Sequence, residues 1–474
     1  MWTFWLIAVL VVYMIQVAVV LLMEHRRPAQ LTAWLLIVLV CPGIGFIAYL
    51  ILGKDYVRRR AIEHYKEHML QYANQLSNKV VSSEQLGNEQ MKKQDKLFQM
   101  LTGLVRFPIT SNNKAVILTN GRETYEAILD QIERAKHHIH MDYYTIRHDE
   151  IGMRFLKVLT SKARSGIEVR VLYDGIGSLQ LDKAFVEELR RSGVQTSCFL
   201  PPRLAVFDRK LNYRNHRKIV VVDGKVGFLG GINIGDEYLG KDPKLGFWRD
   251  THLQLQGDSV SYIQEVFMND WAFASKQKLS GSQYLAKQFD LGDERVLIVP
   301  SKPGQHNHQI VEVMFAAITA ACSRIYITTP YFIPDPSLLM ALRTAALGGI
   351  DVRLIIPGIA DSKLVLWATL SYMQEMLDAG VKVYRYEKGF THAKVMIVDH
   401  MLATVGTANV DMRSLLSNFE LNAVLFDEGT IARLEADFIE DLKQSRELNR
   451  ESFVQRPTRQ KLAEAILHIL SPLL

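Results

Sequence analysis

Cysteine is scarce in this chain, because only Cys41, Cys198 and Cys322 occur among its 474 residues. They lie far apart and form neither a CxxC pair nor an even disulfide framework. The two HxK segments, at His216 and His392, are also a poor zinc signal, because metal-ligating histidine normally comes with further histidine, cysteine or carboxylate and lysine is a poor ligand. We interpret the cysteines as packing residues and expect neither a metal nor another cofactor.

Long blocks of lysine or arginine are absent from residue 108 onwards. Lys and Arg total 56 against 50 Asp and Glu, so the formal net charge is only +6. This small excess fits a partner that carries phosphate, either an anionic lipid or a nucleic acid, but an ordinary solvated surface explains it equally well. With 48% hydrophobic residues, the chain is long enough for two or three domains.

Charged residues are absent from Met1–Met23 and from Leu31–Gly53. Each run is long enough to cross a bilayer core of about 30 Å as a helix. A cleaved signal peptide is the alternative for the first run, but a basic n-region is missing and no small-x-small site precedes Glu24. The sequence therefore predicts two transmembrane helices with a short loop over residues 1–60, and thus a multi-pass integral membrane protein.

The positive charges around these runs favour one orientation. Arg26 and Arg27 lie between the runs, and a larger group follows the second: Lys54, Arg58, Arg59 and Arg60. The positive-inside bias then places the C-terminal bulk on the cytoplasmic side. Residues 61–107 are mostly polar and helix-prone, which predicts a helical juxtamembrane connector.

An internal repeat organises the remaining residues. GIEVRVLYDGIGS at Gly166 matches GIDVRLIIPGIADS at Gly349, and HRKIVVVDGKVGFLGGINIG at His216 matches HAKVMIVDHMLATVGTANVD at His392. Short β-rich runs alternate with helical segments in both copies. We therefore predict an α/β fold of two homologous lobes, 108–290 and 291–474, with mixed sheets flanked by helices and a C-terminal helix on the second. A pseudo-twofold axis would bring their equivalent loops together into one composite site.

The best-matched segments carry a His-x-Lys-x4-Asp motif on a predicted buried strand. Side chains alternate along a strand, so His216 and Lys218 share one face while Asp223 falls on the other. The second copy repeats this parity with His392, Lys394 and Asp399. Histidine and lysine can thus address one ligand, whereas each aspartate is better suited to hold the backbone, the turn or the lobe interface.

HRKIVVVD and HAKVMIVD resemble the paired HKD motifs of the phospholipase D superfamily. NYRNHRKIVVVDGKVGFLGGINIGDEY, WRDTHLQLQG, the N-terminal PGIGFIAYLILG and the terminal SPLL are similar to segments of bacterial cardiolipin synthases. Together with the two apolar runs, the resemblance covers nearly the whole chain. It implies two phospholipase D-like lobes behind a transmembrane helical hairpin.

The resemblance also implies a mechanism through a phosphohistidine, without a metal. One of His216 and His392 would attack the phosphorus while the other protonates the departing alcohol. Lys218 and Lys394 would meet the non-bridging phosphate oxygens. The motifs do not reveal which histidine is the nucleophile.

Four further residues enter through the resemblance. Asp250 in WRDTH and Glu420 in NFELN would bind the outer nitrogen of a histidine, or else be solvated surface carboxylates. Asn233 in GGIN and Asn409 in GTAN would donate an amide to phosphate, or else serve in a turn or as an N-cap.

The implied reaction transfers a phosphatidyl group from one phosphatidylglycerol to another, giving cardiolipin and glycerol. The partners would be phosphatidylglycerol and other lipids of a bacterial cell membrane rather than nucleic acid, and the oligomeric state is left open. The alternatives are a phospholipase D-type hydrolase that passes the same intermediate to water, a nuclease or nucleic-acid binder, and a non-enzymatic membrane scaffold.

Overall fold

A computed structural model of the chain describes residues 1–24, 28–52, 89–202, 213–286, 291–303 and 308–473. The predicted connector lies outside the described residues as far as residue 88. Its remaining part is dominated by a helix over Glu89–Leu104, in keeping with the helix-prone composition.

The first apolar run forms one helix, α1 (Trp2–Glu24), which is long and apolar enough to cross a membrane. The second run is divided into α2 (Pro28–Val40) and α3 (Ile44–Leu52). Neither has the length of about 20 residues that a spanning helix needs. Among the described residues, one helix rather than the predicted two therefore qualifies as a membrane span.

The chain reverses between α2 and α3 at Pro42 and Gly43. Proline lacks a backbone N–H, and Gly43 has a φ of +81°, which glycine adopts without strain. Trp34 of α2 meets Tyr49 of α3 with ring centroids 5.4 Å apart, so the two helices lie side by side. Gly45 lets them approach, because a Cβ there would lie 2.7 Å from a backbone oxygen of α2. A uniformly apolar run has no polar residue that would reveal such a reversal.

Helices and strands alternate in the first lobe and in the segment that leads into it. In chain order they are α4 (Glu89–Leu104), β1 (Asn113–Thr119), α5 (Asn120–Arg134), β2 (His138–Tyr143), α6 (Glu150–Arg164), β3 (Glu168–Asp174), α7 (Lys183–Arg191), β4 (Gln195–Phe199), β5 (Arg214–Asn215), β6 (Lys218–Val222), β7 (Val226–Gly230), β8 (Phe247–Arg249), β9 (Thr251–Gly257) and α8 (Asp258–Ser275).

The second half repeats this alternation and adds a helical end. Its elements are β10 (Val296–Ser301), α9 (Gln309–Ala320), β11 (Arg324–Thr328), β12 (Phe332–Ile333), α10 (Pro336–Leu347), β13 (Asp351–Pro357), α11 (Lys363–Asp378), β14 (Lys382–Tyr386), β15 (Gly389–Thr391), β16 (Val395–Val398), β17 (Leu402–Gly406), β18 (Val410–Asp411), α12 (Met412–Leu416), β19 (Asn418–Leu425), α13 (Glu428–Lys443), β20 (Ser445–Glu447), α14 (Arg450–Val454) and α15 (Thr458–Leu470).

The two large sheets have the same strand order. It is β1-β9-β7-β6-β2-β3-β4 in the first lobe and β10-β19-β17-β16-β11-β13-β14 in the second, which β20 extends. In each, a central strand pairs parallel with one neighbour and antiparallel with the other: β2 with β3 and β6, and β11 with β13 and β16. The predicted pair of homologous α/β lobes with mixed sheets is confirmed.

Short strands cross between the lobes twice in equivalent ways. β5 of the first lobe pairs in parallel with the start of β19, and β15 of the second pairs in parallel with β8. The backbone N–H of His216 then donates to the Phe419 carbonyl oxygen at 3.0 Å, and that of His392 to the Arg249 carbonyl oxygen at 2.7 Å. The backbone of each motif histidine is therefore fixed by the opposite lobe.

The C-terminal helix α15 packs against α11 and also reaches the N-terminal helices. The Tyr372 hydroxyl lies 2.8 Å from that of Ser471, just beyond α15. Leu473 packs among the apolar residues of α1, α2 and α3. Three residues at helical spacing remain exposed on the outer face of α15: Leu462, Ile466 and Ile469. This helix thus connects the apolar N-terminal helices to the second lobe.

Candidate active site

Around the motif histidine of the first lobe, successive side chains point to opposite faces of the chain. Asn215 donates to the Asp142 carboxylate at 2.9 Å, and Arg217 donates to Asp270 at 2.5 Å, so both point into one buried polar cluster. His216, between them in sequence, points away from this cluster. The alternation expected from the sequence is therefore present.

His216 is held by a carboxylate of the second lobe. Its Nδ1 lies 3.0 and 3.1 Å from the two carboxylate oxygens of Glu420. Glu420 is fully buried and also accepts hydrogen bonds from the Thr407 hydroxyl at 2.6 Å and the Asn418 amide at 3.1 Å. These donors fix the carboxylate, and the carboxylate fixes the imidazole, which leaves Nε2 for a ligand.

His392 is held in the same way by the first lobe. Its Nδ1 lies 2.8 Å from Asp250 Oδ2, and Asp250 is fully buried. The backbone N–H of Thr251 donates to Asp250 at 2.8 Å, and the indole N–H of Trp248 donates at 3.4 Å. Each histidine of one lobe thus depends on a carboxylate of the other, and the site cannot be assembled from either lobe alone.

The motif lysines are buried beside the histidines. Lys218 Nζ donates to the His216 carbonyl oxygen at 2.6 Å, and Lys394 Nζ makes the equivalent bond to the His392 carbonyl oxygen. Burial lowers the pKa of Lys218 to about 7 and that of Lys394 to about 8, although Glu420 and Asp250 oppose the change. Each protonated Nζ has N–H groups beyond this one hydrogen bond. The negative charge of a bound anion would raise both pKa values and so favour the protonated lysines.

Both motif imidazoles are neutral at pH 7. Burial lowers the pKa of His216 to about 4 against the attraction of Glu420, and Lys218 adds to the lowering. Burial and the charge of Lys394 lower the pKa of His392 to about 3, against the attraction of Asp250. A neutral imidazole is a nucleophile. An anionic phosphodiester between the two rings would raise both values and allow one ring to carry a proton.

The motif aspartates lie away from the histidines and fasten backbone. Asp223 accepts hydrogen bonds from the backbone N–H groups of Lys136, His137 and His138, at the start of β2. Burial would raise the pKa of Asp223, but these donors hold it below its usual value. The structure thus places this aspartate where it holds the turn before the neighbouring strand.

Asp399 does the same in the second lobe. It accepts from the backbone N–H groups of Cys322, Ser323 and Arg324 and from the Ser323 hydroxyl, at the start of β11. The two aspartates therefore occupy equivalent places in the repeat.

The two candidate asparagines differ in their surroundings. Asn233 Oδ1 accepts from the backbone N–H of Thr145 at 3.1 Å, and its Nδ2 donates to the Tyr238 hydroxyl at 2.7 Å, so its amide is bonded within its own lobe. Asn409 is also buried, but its Oδ1 has no hydrogen-bond partner among the described residues. A ligand-binding role for either stays a prediction.

Aromatic rings that sequence reasoning missed line both histidines. The Tyr144 ring lies 4.8 Å from that of His216, and the Trp248 ring lies 5.1 Å from that of His392. Trp248 could have been noticed as the first letter of the WRDTH segment, but Tyr144 lies far from either motif in sequence. These rings restrict access to the imidazoles, whose side chains are 12% and 9% exposed.

The candidate site does not lie at the large groove that the described residues form. An open groove of about 730 Å³ lies between α10, α11 and α15, with Arg343, Arg456 and His468 among its lining residues. The motif histidines do not line it. The candidate site is instead distinguished by three buried basic side chains, a largely buried His216 and two buried carboxylates, which converge from both lobes.

Comparisons with known proteins agree with this arrangement. The family described as "Cardiolipin synthase, PLD-like domain" matches residues 128–271 and 314–442, one segment in each lobe. A second family, "Phospholipase_D-nuclease N-terminal", matches residues 3–54, which include α1, α2 and α3.

Relatives of similar length carry related names. The chain is 43% identical to a protein named cardiolipin synthase from Geobacillus kaustophilus, over 97% of this chain and 91% of the relative. It is 41% identical to the major cardiolipin synthase ClsA of Bacillus subtilis, over 97% of each. A crystal structure of phosphatidylserine synthase from Haemophilus influenzae shares the fold, with a TM-score of 0.60 at 15% identity over 82% of this chain and all of that one.

Proposed function

The chain belongs to the phospholipase D-like cardiolipin synthase family, and we propose that it transfers a phosphatidyl group from one phosphatidylglycerol to another, giving cardiolipin and glycerol. The observation that carries this proposal is the pair of crossed contacts, His216 with Glu420 and His392 with Asp250, at 3.0 and 2.8 Å. They orient two imidazoles that both lie within the electrostatic influence of Lys218 and Lys394. The full-length similarity to proteins named cardiolipin synthase supports a phospholipid as the substrate.

The first step would break the bond between phosphorus and the headgroup glycerol. Nε2 of one neutral imidazole attacks the phosphorus, and a phosphorus–nitrogen bond forms as the phosphorus–oxygen bond breaks. The other imidazole, protonated once the anionic phosphate is bound, gives its proton to the departing glycerol oxygen. Glycerol leaves, and a phosphatidyl-histidine remains.

The second step would reverse these roles. A glycerol hydroxyl of a second phosphatidylglycerol gives its proton to the imidazole that acted as the acid. Its oxygen attacks the phosphorus, and the phosphorus–nitrogen bond breaks to release cardiolipin. The same two histidines thus serve both steps with no net change in the protein.

Other residues would support the charge and the geometry. Lys218 and Lys394 would bind the non-bridging oxygens, where negative charge concentrates in the transition state. The unpaired Oδ1 of Asn409 is an acceptor, so it would bond a glycerol hydroxyl of the ligand rather than the phosphate. The bonded amide of Asn233 suits positioning of its own lobe. Asp223 and Asp399 would act through the backbone that they hold.

The main alternative is a hydrolase that passes the intermediate to water. We favour transfer because the imidazoles are nearly enclosed by protein, which limits access of water. The test is to incubate purified full-length protein with phosphatidylglycerol vesicles and to analyse the lipids. Cardiolipin and glycerol in equal amounts would support the proposal. Phosphatidic acid as the main product would favour the hydrolase.

A variant pair tests the composite site. His216→Ala and His392→Ala should each abolish cardiolipin formation, because neither step proceeds with one imidazole. Near-normal synthesis by either variant would contradict a site shared between the lobes.

We also propose a membrane arrangement. Helix α1 would cross a bacterial cell membrane, while α2 and α3 enter and leave it from the side on which the lobes lie, the cytoplasmic side. This arrangement has one crossing where the sequence predicts two. The side-by-side packing of α2 and α3 and the basic residues after residue 53 support it.

Two natural cysteines can report this arrangement. Cys41, at the turn after α2, and Cys322, on the second lobe, are both exposed on the protein. We expect a membrane-impermeant maleimide to label Cys322 only in inverted vesicles and to leave Cys41 unlabelled from either side. Labelling of Cys41 from the outside of intact cells would show instead that α2 crosses the membrane.

A further inference from the structure

The two halves of the site differ at the position two residues before each histidine. In the second lobe this position is Phe390, which is 1% exposed and lies 5.0 Å from the Trp248 ring, centroid to centroid. In the first lobe it is Arg214. The surroundings of His392 are therefore aromatic, whereas those of His216 contain an additional cation that the repeat does not explain.

Arg214 shares the face of the strand that carries the catalytic groups. The neighbouring side chains Asn215 and Arg217 both enter the buried cluster of Asp142 and Asp270. Alternation then places Arg214 on the opposite face with His216. Two residues of extended chain span about 6.6 Å, so the backbone positions of Arg214 and His216 are about that far apart.

The charge of Arg214 is buried and poorly compensated. The residue is 6% exposed, its Nη1 donates to the carbonyl oxygen of Tyr213, and its Nε has no partner among the described residues. The nearby Asp174 attracts it, but the carboxylate oxygens of Asp174 accept the backbone N–H groups of Ile176, Gly177 and Asn215. Within the described ranges no salt bridge to Arg214 is present.

A second cation approaches from the other lobe. Arg413 lies on α12 and is half-buried. Its charge and that of Arg214 both act on the Tyr144 hydroxyl, and the Tyr144 ring packs on His216. Burial lowers the pKa of Arg214, and the charge of Arg413 lowers it further. Two like charges from opposite lobes are thus held beside the reacting centre, an arrangement that an anion would stabilise.

We propose that Arg214, assisted by Arg413, binds the phosphate of the acceptor phosphatidylglycerol. The inference rests on the proposed function and adds a second phosphate site to it. The acceptor carries its own phosphodiester at the far end of the glycerol whose hydroxyl attacks. Water and free glycerol carry none. The Arg214 guanidinium therefore selects an anionic lipid alcohol and holds its hydroxyl at the phosphatidyl-histidine.

Comparing two acceptors, phosphatidylglycerol and free glycerol, distinguishes a role of Arg214 in acceptor binding from a general role in catalysis. Purified full-length protein in phosphatidylglycerol vesicles is assayed for cardiolipin formation, in which the acceptor has a phosphate. The same vesicles with labelled glycerol measure its exchange into phosphatidylglycerol, in which the acceptor has none. Both assays require the same phosphatidyl-histidine and the same two histidines.

Arg214→Gln should lower cardiolipin formation about 10- to 100-fold, the usual effect of losing hydrogen bonds to a charged group. Glycerol exchange should stay close to that of the unaltered protein, which also shows that the variant folds. The rate of cardiolipin formation by Arg214→Lys should lie between those of Arg214→Gln and the unaltered protein. Arg413→Gln should also lose cardiolipin formation, but to a smaller extent, and keep glycerol exchange. Arg190→Gln, at an exposed arginine that bonds to the Thr196 hydroxyl, is the matched control and should change neither reaction.

Equal loss of both reactions in Arg214→Gln would overturn the acceptor site and assign Arg214 to the donor step or to the fold. Unchanged cardiolipin formation would also overturn it. Failure of the proposed function has a different signature, because the unaltered protein would then exchange glycerol or release phosphatidic acid without forming cardiolipin.

Discussion

At the residue scale, the carboxylate behind each imidazole determines which nitrogen can react. Glu420 and Asp250 are both fully buried and both contact Nδ1. A carboxylate there accepts the Nδ1 proton, so the lone pair lies on Nε2. Burial raises the pKa of Asp250 in isolation, but the attraction of His392 and its hydrogen bond reverse the shift. Asp250 is therefore ionised at neutral pH in the protein.

Replacing these carboxylates by amides should cost activity without loss of the fold. Asp250→Asn and Glu420→Gln keep the shape but can donate to Nδ1, which stabilises the wrong tautomer. We expect kcat for cardiolipin formation to fall by about 10³- to 10⁴-fold, as for other histidine–carboxylate pairs. Circular dichroism should stay unchanged. Activity within a few-fold of the original would show that the crossed contacts are not needed.

The motif lysines give the site a pH dependence. Lys218 and Lys394 have pKa values of about 7 and 8 in the protein, and only the protonated form attracts phosphate strongly. As pH rises through these values the free protein loses first one charge and then both, so kcat/KM should decline from about pH 7 upwards. The decline of kcat should begin at higher pH, because bound phosphate keeps the lysines protonated. Rates in mixed micelles from pH 5 to 10 measure this. A kcat/KM that is flat to pH 10 would contradict it.

At the element scale, each motif aspartate joins two elements of its own lobe. Asp399, at the end of β16, fastens the start of β11 through backbone N–H groups and the Ser323 hydroxyl. Its φ of +52° lies in the left-handed region, which aspartate tolerates better than most residues. The His and Lys of the motif line the site while the Asp holds the sheet.

Asp399→Asn should therefore lower stability rather than catalysis. The amide accepts fewer hydrogen bonds and places an N–H against backbone donors. We expect the free energy of unfolding to fall by about 1–3 kcal/mol, with kcat close to that of the original protein at low temperature. Urea unfolding followed by tryptophan fluorescence gives the first quantity. A large loss of kcat in a fully folded variant would instead make Asp399 part of the chemistry.

At the scale of the whole molecule, the two lobes form one body with the site at its centre. One hydrophobic core contains strands of both sheets, among them residues of β7, β9, β10 and β19. Arg249 of the first lobe is buried and donates to Asp441 of the second at 2.8 Å. It immediately precedes Asp250, so strand β8, which pairs with the other lobe, leads directly into a carboxylate of the site.

Arg249→Met should loosen the whole assembly. It leaves the buried Asp441 without its cation, a change that usually costs about 3–5 kcal/mol. We expect a lower melting temperature and a loss of activity that follows unfolding. Asp441→Asn in the same background should recover part of the stability because it removes the unpaired charge. Absence of any recovery would mean that Arg249 stabilises the protein mainly through its other contacts.

The amino-acid sequence by itself determined the lobes, the motif strands and the faces of those strands. These follow from the repeat and from the two-residue period of a β-strand, which depends on neighbouring residues alone. The apolar N-terminus was also visible from composition. Its fold was not, because a reversal at Pro42 and Gly43 within an apolar run changes no hydrophobic pattern.

Only the tertiary structure decided which carboxylate contacts which histidine. Glu420 meets His216 across 204 positions of sequence, and Asp250 meets His392 across 142. Such pairings depend on how two separate lobes pack, and local periodicity carries no information about that packing. The sequence shows that Arg214 and Phe390 occupy equivalent positions, but their neighbours come from the opposite lobe and are known only from the tertiary structure.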